Sequence, residues 1–179
     1  MFDRVRDPQR ASLLDMETLV RLGVEDAGEL LTLHRAAYVT EGQAQAIWTC
    51  RPCGRPCQIW PPSLQLADPA VLALGWRDDT GRLIAAARAR VAETAKGIAE
   101  IGRLTVVPDR QGQRLGTRLL TAVEAELPPS VTELRLFTGE RSVDNLRLYA
   151  RAGYTKTGRQ PTRAGYSLVH ISKRRGPSR

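Results

Sequence analysis

Ile101-Gly102-Arg103-Leu104-Thr105-Val106-Val107-Pro108-Asp109-Arg110-Gln111-Gly112-Gln113-Arg114-Leu115-Gly116-Thr117-Arg118-Leu119-Leu120 is the stretch that decides how the chain is read. Its opening has strong β character. Pro108 ends it, because proline has no N–H to give a ladder. Gly112 and Gly116 mark a tight loop, and Leu119 and Leu120 begin an apolar helical face. A strand feeding a short loop and then a helix leaves several backbone N–H groups without intrahelical partners. They lie at the positive end of the helix dipole and make an anion site. The two glycines let a ligand approach the main chain closely. Arg110, Arg114 and Arg118 add positive charge around it. A diphosphate would be held well there. The same spacing also fits an ordinary strand–loop–helix with its arginines in solvent.

Working outward, residues 71–76 and 83–91 read as strands joined by the turn Asp78-Asp79-Thr80-Gly81, and residues 98–107 as a third strand. Residues 117–127 read as a helix with Leu119, Leu120 and Val123 on one face, ended by Pro128-Pro129. Residues 131–138 read as a strand, 142–151 as a helix stopped by Gly153, and 166–171 as a final strand. Nearer the start, residues 18–22 read as a short strand broken by Gly23. Val24-Glu25-Asp26-Ala27 then opens a helix with two acids in its first turn, complementing the dipole. Leu30, Leu31, Leu33, His34, Ala37 and Tyr38 continue its apolar stripe, on which His34 reads as a satisfied core histidine. Helices between strands, with hairpins among them, predict a mixed α/β sheet rather than a purely parallel one. Residues 1–15 read as an N-terminal extension, 16–172 as one domain, and 173–179 as a basic tail, expected to be frayed and solvated.

Composition bounds the function classes. A chain of 179 residues suffices for one domain, and 42% hydrophobic with 26% charged residues supports a packed core rather than disorder. No apolar run approaches the roughly 20 residues that span a bilayer. Met1-Phe2-Asp3-Arg4 starts no hydrophobic leader, so a cytoplasmic protein with no membrane partner is expected. The net charge is +8, and only Lys96, Lys156 and Lys173 among the 27 basic residues are lysines. An arginine-rich surface attracts anions: a phosphate-bearing cofactor, an acidic substrate or nucleic acid. Neither a helix-turn-helix pattern, a stacking-aromatic pattern nor a complete zinc motif is visible, so no nucleic-acid partner is expected.

Gln111-Gly112-Gln113-Arg114-Leu115-Gly116 resembles the acetyl-CoA loop of the GNAT superfamily of N-acetyltransferases, Gln/Arg-x-x-Gly-x-Gly/Ala. The preceding Leu104-Thr105-Val106-Val107-Pro108 and the following Thr117-Arg118-Leu119-Leu120 are similar too. Arg114 departs from the pattern, standing where the family usually has its first glycine. An arginine is tolerated there if its φ is negative and its side chain turns outward, where it could also reach a phosphate. A second block supports the first: Leu136-Phe137-Thr138-Gly139, then Asn145 through Tyr149 to Gly153-Tyr154, resembles the family's later strand and its Asn-x-x-x-Tyr-x-x-x-Gly-Tyr/Phe helix. Asn145 and Tyr149 are four apart, hence on one helical face. The resemblance extends more loosely over residues 18–171. It implies an acyl-CoA N-acyltransferase fold, with a central, mostly antiparallel, splayed sheet flanked by helices.

The resemblance also implies a reaction: transfer of acetyl from acetyl-CoA to an amine by direct attack in a ternary complex, with no metal. Gln111, Gly112, Gln113, Arg114, Leu115, Gly116 and Thr117 would bind the pyrophosphate through backbone N–H groups, while Leu104 and Val106 would pair with the pantetheine arm. Asn145 would contact the cofactor, and Tyr149 would protonate the leaving thiolate. The competing reading of Tyr149 is a packed core aromatic. Glu100 is the candidate base, or equally a solvent-exposed strand-end charge. Glu140 and Glu41 are weaker candidates. A small-molecule amine is the expected acceptor, with peptide or protein amino groups as the alternative. A CoA-binding protein that no longer catalyses is a further alternative. The oligomeric state stays open between monomer and homodimer.

Residues 46–66 fit neither period and hold Cys50, Cys53, Cys57, Trp48 and Trp60. Three thiolates fall short of the four ligands a structural zinc takes, unless His34 serves, so no metal is expected. Read one base earlier with GC-rich codons, this window is compatible with an amphipathic helical product. Compensated frameshifts would produce such a window, and the gene sequence decides the matter.

Overall fold

A computed structural model describes residues 17–45, 66–91, 97–162 and 165–176, with side chains of the first helix described as far as Ala37. The elements are β1 (Thr18–Arg21), α1 (Ala27–Gln45), β2 (Val71–Arg77), β3 (Leu83–Val91), β4 (Ile98–Val106), α2 (Leu115–Glu126), β5 (Glu133–Gly139), α3 (Val143–Arg151), β6 (Thr155–Pro161) and β7 (Ser167–Arg174). The strands form one sheet in the order β1-β2-β3-β4-β5-β7-β6. Every pairing is antiparallel except β4 with β5. The mixed, mostly antiparallel α/β sheet expected from the sequence is therefore present.

The core sits where β3 crosses the centre of the sheet. Leu83, Ile84, Ala85, Ala86 and Ala87 are all buried in succession, so both faces of the strand are covered. Both α1 and α2 pack against β3 and β4. Helix α2 buries Leu115, Leu119, Leu120 and Val123, each of which contributes about 1.5–3 kcal/mol relative to an exposed position. The head of α1 is clamped to the β2–β3 hairpin. Arg77 donates to Glu29 (2.8 Å) and Asp26 (2.7 Å), and Glu29 also accepts from the Leu83 amide (2.7 Å). Ahead of that helix, one 3-10 turn at Val24–Asp26 is closed by the Gly23 amide donating to Asp26 Oδ2 at 2.8 Å. Of the two acids read as dipole complements, Asp26 is thus also an ion-pair and capping group.

Three departures from the sequence reading have physical causes. Strand β6 was not foreseen, because Thr155–Pro161 has no apolar alternation and is exposed throughout. Its pairing with β7 forms it, at the sheet edge where Lys156 and Arg159 discourage further strand addition. The basic tail is not frayed through residue 175. Strand β7 runs to Arg174, Lys173 Nζ lies 2.6 Å from Glu124, and the Arg175 guanidinium donates to the Pro128 and Val131 carbonyls. Helix α1 runs on to Gln45, beyond the apolar stripe that ended at Tyr38. The cysteine-bearing window, Glu41's side chain and the N-terminal extension lie outside what is described, apart from Leu66. Among the described residues no helix is long and apolar enough to cross a membrane, and no cluster of His, Cys, Asp and Glu could hold a metal.

Candidate active site

The site begins where β4 and β5 separate. They pair in parallel only at Ile98–Glu133, Ala99–Leu134 and Glu100–Arg135. Beyond that, β4 stays with β3 as far as Val106, while β5 follows β7 to Gly139. A bulge helps to turn β4: Ala86 faces Thr105 but Arg88 faces Gly102, so one extra residue is inserted and Arg103 takes φ +56°. On the side facing β5, the later part of β4 has no strand partner for its amides and carbonyls among the described residues. It presents an open edge to an extended ligand.

The open edge leads to the loop read from the sequence. A 3-10 turn at Pro108–Arg110 begins it. Arg82 holds Asp109 through two bonds, 3.0 and 2.9 Å, which keep the Asp109 carboxyl below its usual range. Gln111 Nε2 donates to the Val106 carbonyl at 3.2 Å, tying the loop back to the strand end. The first helical bond of α2 is Arg118 N–H to the Arg114 carbonyl. The amides of Gln113, Arg114, Leu115, Gly116 and Thr117 donate to no backbone carbonyl among the described residues. They are the orphan donors of a helix start, and they face anion chemistry.

Arg114 corrects one expectation. It sits at the N-cap with φ +64° and ψ +10°, in the left-handed region rather than at negative φ. That conformation costs a non-glycine residue about 1–2 kcal/mol. The arginine thus takes a backbone geometry that ordinarily favours glycine. Gly112 is also left-handed, at φ +78°.

Loop and strand form one wall of a cleft of about 710 Å³. Of the residues named from the sequence, Leu104, Val106, Gln111, Gly112, Arg114, Leu115, Gly116, Thr117 and Asn145 all line it. Gln113 is exposed on the loop without lining the cleft. Arg118 turns away: it pairs with Glu17 and stacks over Trp76, 4.5 Å from the ring centre. The opposite wall is α3 and the turn before it. It contributes Arg141, Arg147 and Arg151, which the sequence reading missed. Their signal was available: residues 147 and 151 are four apart, on the helix that carries Asn145.

The two proposed proton-transfer groups lie off this lining. Glu100 is exposed at the apex of the separation, between Arg90 of β3 and Arg135 of β5. Tyr149 is 7% exposed and packs edge-on against Tyr154, with ring centres 5.9 Å apart. Tyr154 is itself held by Glu124 (2.8 Å), and burial together with that bond raises its phenol well above the usual range. On the α1 side, a water-sized void meets His34, Arg88 and Arg103. Burial, aided by the charges of Arg103 and Arg88, lowers His34 to about 4, so its imidazole is neutral at pH 7.

The model of the acetyltransferase (GNAT) family matches residues 24–154. Solved structures agree in fold. A proposed acyl-CoA N-acyltransferase from Klebsiella pneumoniae is 26% identical, with a TM-score of 0.64 over 89% of this chain and 97% of that one. The ribosomal-protein-S18-alanine N-acetyltransferase of Escherichia coli is 19% identical, with a TM-score of 0.66 over 89% and 94%. A GNAT acetyltransferase of Staphylococcus aureus, at 10% identity, reaches a TM-score of 0.68 over 88% and 98%. No curated protein matches the sequence significantly. With the family pattern spanning most of the chain and the splayed sheet carrying its loop, the protein belongs to the GNAT acetyltransferase family.

Proposed function

We propose that the protein transfers an acetyl group from acetyl-CoA to a primary amine of a small molecule, by direct attack in a ternary complex. The observation that carries this reading is the parting of β4 from β5 after Glu100 and Arg135, opening onto the unpaired amides at the head of α2. The cleft fits the substrate's chemistry. It joins an open strand edge, suited to an amide-bearing arm, to a donor-rich, arginine-lined end suited to a diphosphate.

In this mechanism the loop amides fix the diphosphate, and Leu104 and Val106 hold the arm in an extended form beside β4. The acceptor nitrogen must be neutral to attack the thioester carbon. Glu100 takes its proton, directly or through a water. The C–N bond forms as the C–S bond breaks, with backbone N–H groups of β4 stabilising the negative charge that develops on the carbonyl oxygen. Tyr149 gives a proton to the departing thiolate. Asn145 positions the arm from the α3 side.

The test is release of free thiol when acetyl-CoA is mixed with the full-length protein and a panel of amines. A rise in melting temperature with acetyl-CoA, together with thiol release that depends on one class of small amine, is the expected result. Thermal stabilisation without thiol release on any amine would instead identify a silent CoA binder. Release only with peptide amines would move the acceptor to protein or peptide termini.

A further inference from the structure

Resting on the acetyltransferase reading, we infer that Arg88 and Arg103 bind a carboxylate of the acceptor, so that the protein acetylates the amino group of a free amino acid rather than that of a neutral amine or a peptide. The starting point is the bulge in β4. Arg88 faces Gly102 across the β3–β4 ladder, so the two share one face of the sheet. Glu100, the base in the mechanism above, is two residues before Gly102 and shares that face. Strict alternation would turn residue 103 to the other face. The extra residue and the φ of +56° at Arg103 prevent this. Arg88 and Arg103 instead line one water-sized void between α1 and the sheet, together with His34. A positive φ strains an arginine, and here the strain coincides with two cationic side chains brought to one place.

The surroundings concentrate that charge. The rest of the described lining is apolar, including Leu22, Leu30, Val71 and Ala73. Burial, aided by the charges of Arg103 and Arg88, keeps His34 neutral, so the positive charge at the void belongs to the two arginines. Both arginines are only half-buried, so a solute reaches them. The void also adjoins the cleft. On β4, Arg103 lines the void and Leu104 the cleft; on α1, His34 lines the void and Ala37 the cleft. The two spaces are therefore one strand residue apart, about 3.3 Å, or three helical residues apart, about 4.5 Å. That is the span between amine and carboxylate in an α- or β-amino acid. A pair of guanidinium groups suits a planar carboxylate, and a space of one water's size admits one of its oxygens but no tetrahedral phosphate or sulfonate. A peptide's terminal amine has a neutral amide where the amino acid has this charge.

The experiment measures thiol release from acetyl-CoA by the full-length protein with α- and β-amino acids, each paired with its carboxamide and compared at equal concentrations of unprotonated amine. The best amino acid is expected to exceed its carboxamide at least about tenfold in kcat/KM, the effect of losing charge-assisted bonds. Arg88→Gln removes one guanidinium. Arg103→Gly removes the other and keeps the left-handed backbone that the bulge requires. In each variant the preference is expected to shrink to about twofold through a higher KM for the amino acid, while acetyl-CoA affinity by calorimetry stays within about twofold. A carboxamide turned over as well as its amino acid by the unaltered protein overturns the inference and leaves the acetyltransferase reading standing. Equal loss on both acceptors in the two variants also overturns it, by making these arginines structural. If no acceptor of any charge releases thiol, the acetyltransferase reading fails and takes the inference with it.

Discussion

The wall built by residues 111–117 and the wall built by α3 face the same cleft, yet they offer it different groups. The first presents main-chain amides whose direction is set by φ and ψ, at Gly112 (φ +78°) and Arg114 (φ +64°). The second presents side chains, Asn145, Arg147 and Arg151, on a helix whose backbone bonds are already made. A wall of amides is indifferent to most side-chain replacements and sensitive to backbone conformation. A wall of side chains behaves the opposite way. This contrast explains how an arginine can occupy a position that the loop's geometry assigns to glycine.

The largest expected effect tests what stands behind the side-chain wall. Tyr149→Phe keeps the ring that packs against Tyr154 and removes only the hydroxyl. Turnover is expected to fall about 100-fold, the lower range for loss of a proton donor, while acetyl-CoA affinity changes less than about twofold. Steady-state kinetics and calorimetry on one preparation separate the two numbers. Unchanged turnover would return Tyr149 to the core and leave α3 a purely binding wall.

A smaller effect is expected on the amide wall. A Cβ at Gly112 would meet no atom within 4 Å, so Gly112→Val acts only through its positive φ. A β-branched residue there costs about 1–3 kcal/mol, which the loop relieves by rotating its amides out of line. Acetyl-CoA is expected to bind about tenfold more weakly, whereas Gly112→Asn, which tolerates the left-handed region, should bind within about threefold of the unaltered protein. Undiminished binding to the valine variant would mean that the loop amides are not the anchor.

The same contrast explains what could be read from the sequence. Strand β3 was legible to the residue and β4 to within one, because their apolar, β-rich runs end at turn residues such as Gly81 and Pro108. The loop was legible because glycines report backbone conformation directly. Strand β6 was not, since its formation depends on an exposed pairing with β7 that leaves no trace in hydrophobic period. The bulge at Arg103 was hidden for the same reason: a non-glycine residue at φ +56° carries no local signal. The bulge also interrupts the strict alternation of faces between Glu100 and Leu104. The arginines of the α3 wall, Arg141, Arg147 and Arg151, escaped notice because arginine, present 24 times, is a weak signal in this composition, where identical side chains serve structural ion pairs such as Arg77 with Asp26.

The smallest effect discriminates most finely between the two walls. Arg114→Gly removes left-handed strain of about 1–2 kcal/mol, and the added freedom of glycine in the unfolded chain offsets roughly 0.5–1 kcal/mol of that gain. A net stabilisation of about 0.5–1 kcal/mol should raise the melting temperature by about 1–4 °C for a chain of this size. If the wall acts through its amides, acetyl-CoA affinity should stay within about threefold, because the backbone that carries them is kept or improved. The informative contrary result is a warmer melting point with affinity lowered tenfold or more. The Arg114 guanidinium would then be the phosphate ligand, its strained backbone would be the cost of aiming it, and the amide wall would have to be redrawn as a second wall of side chains.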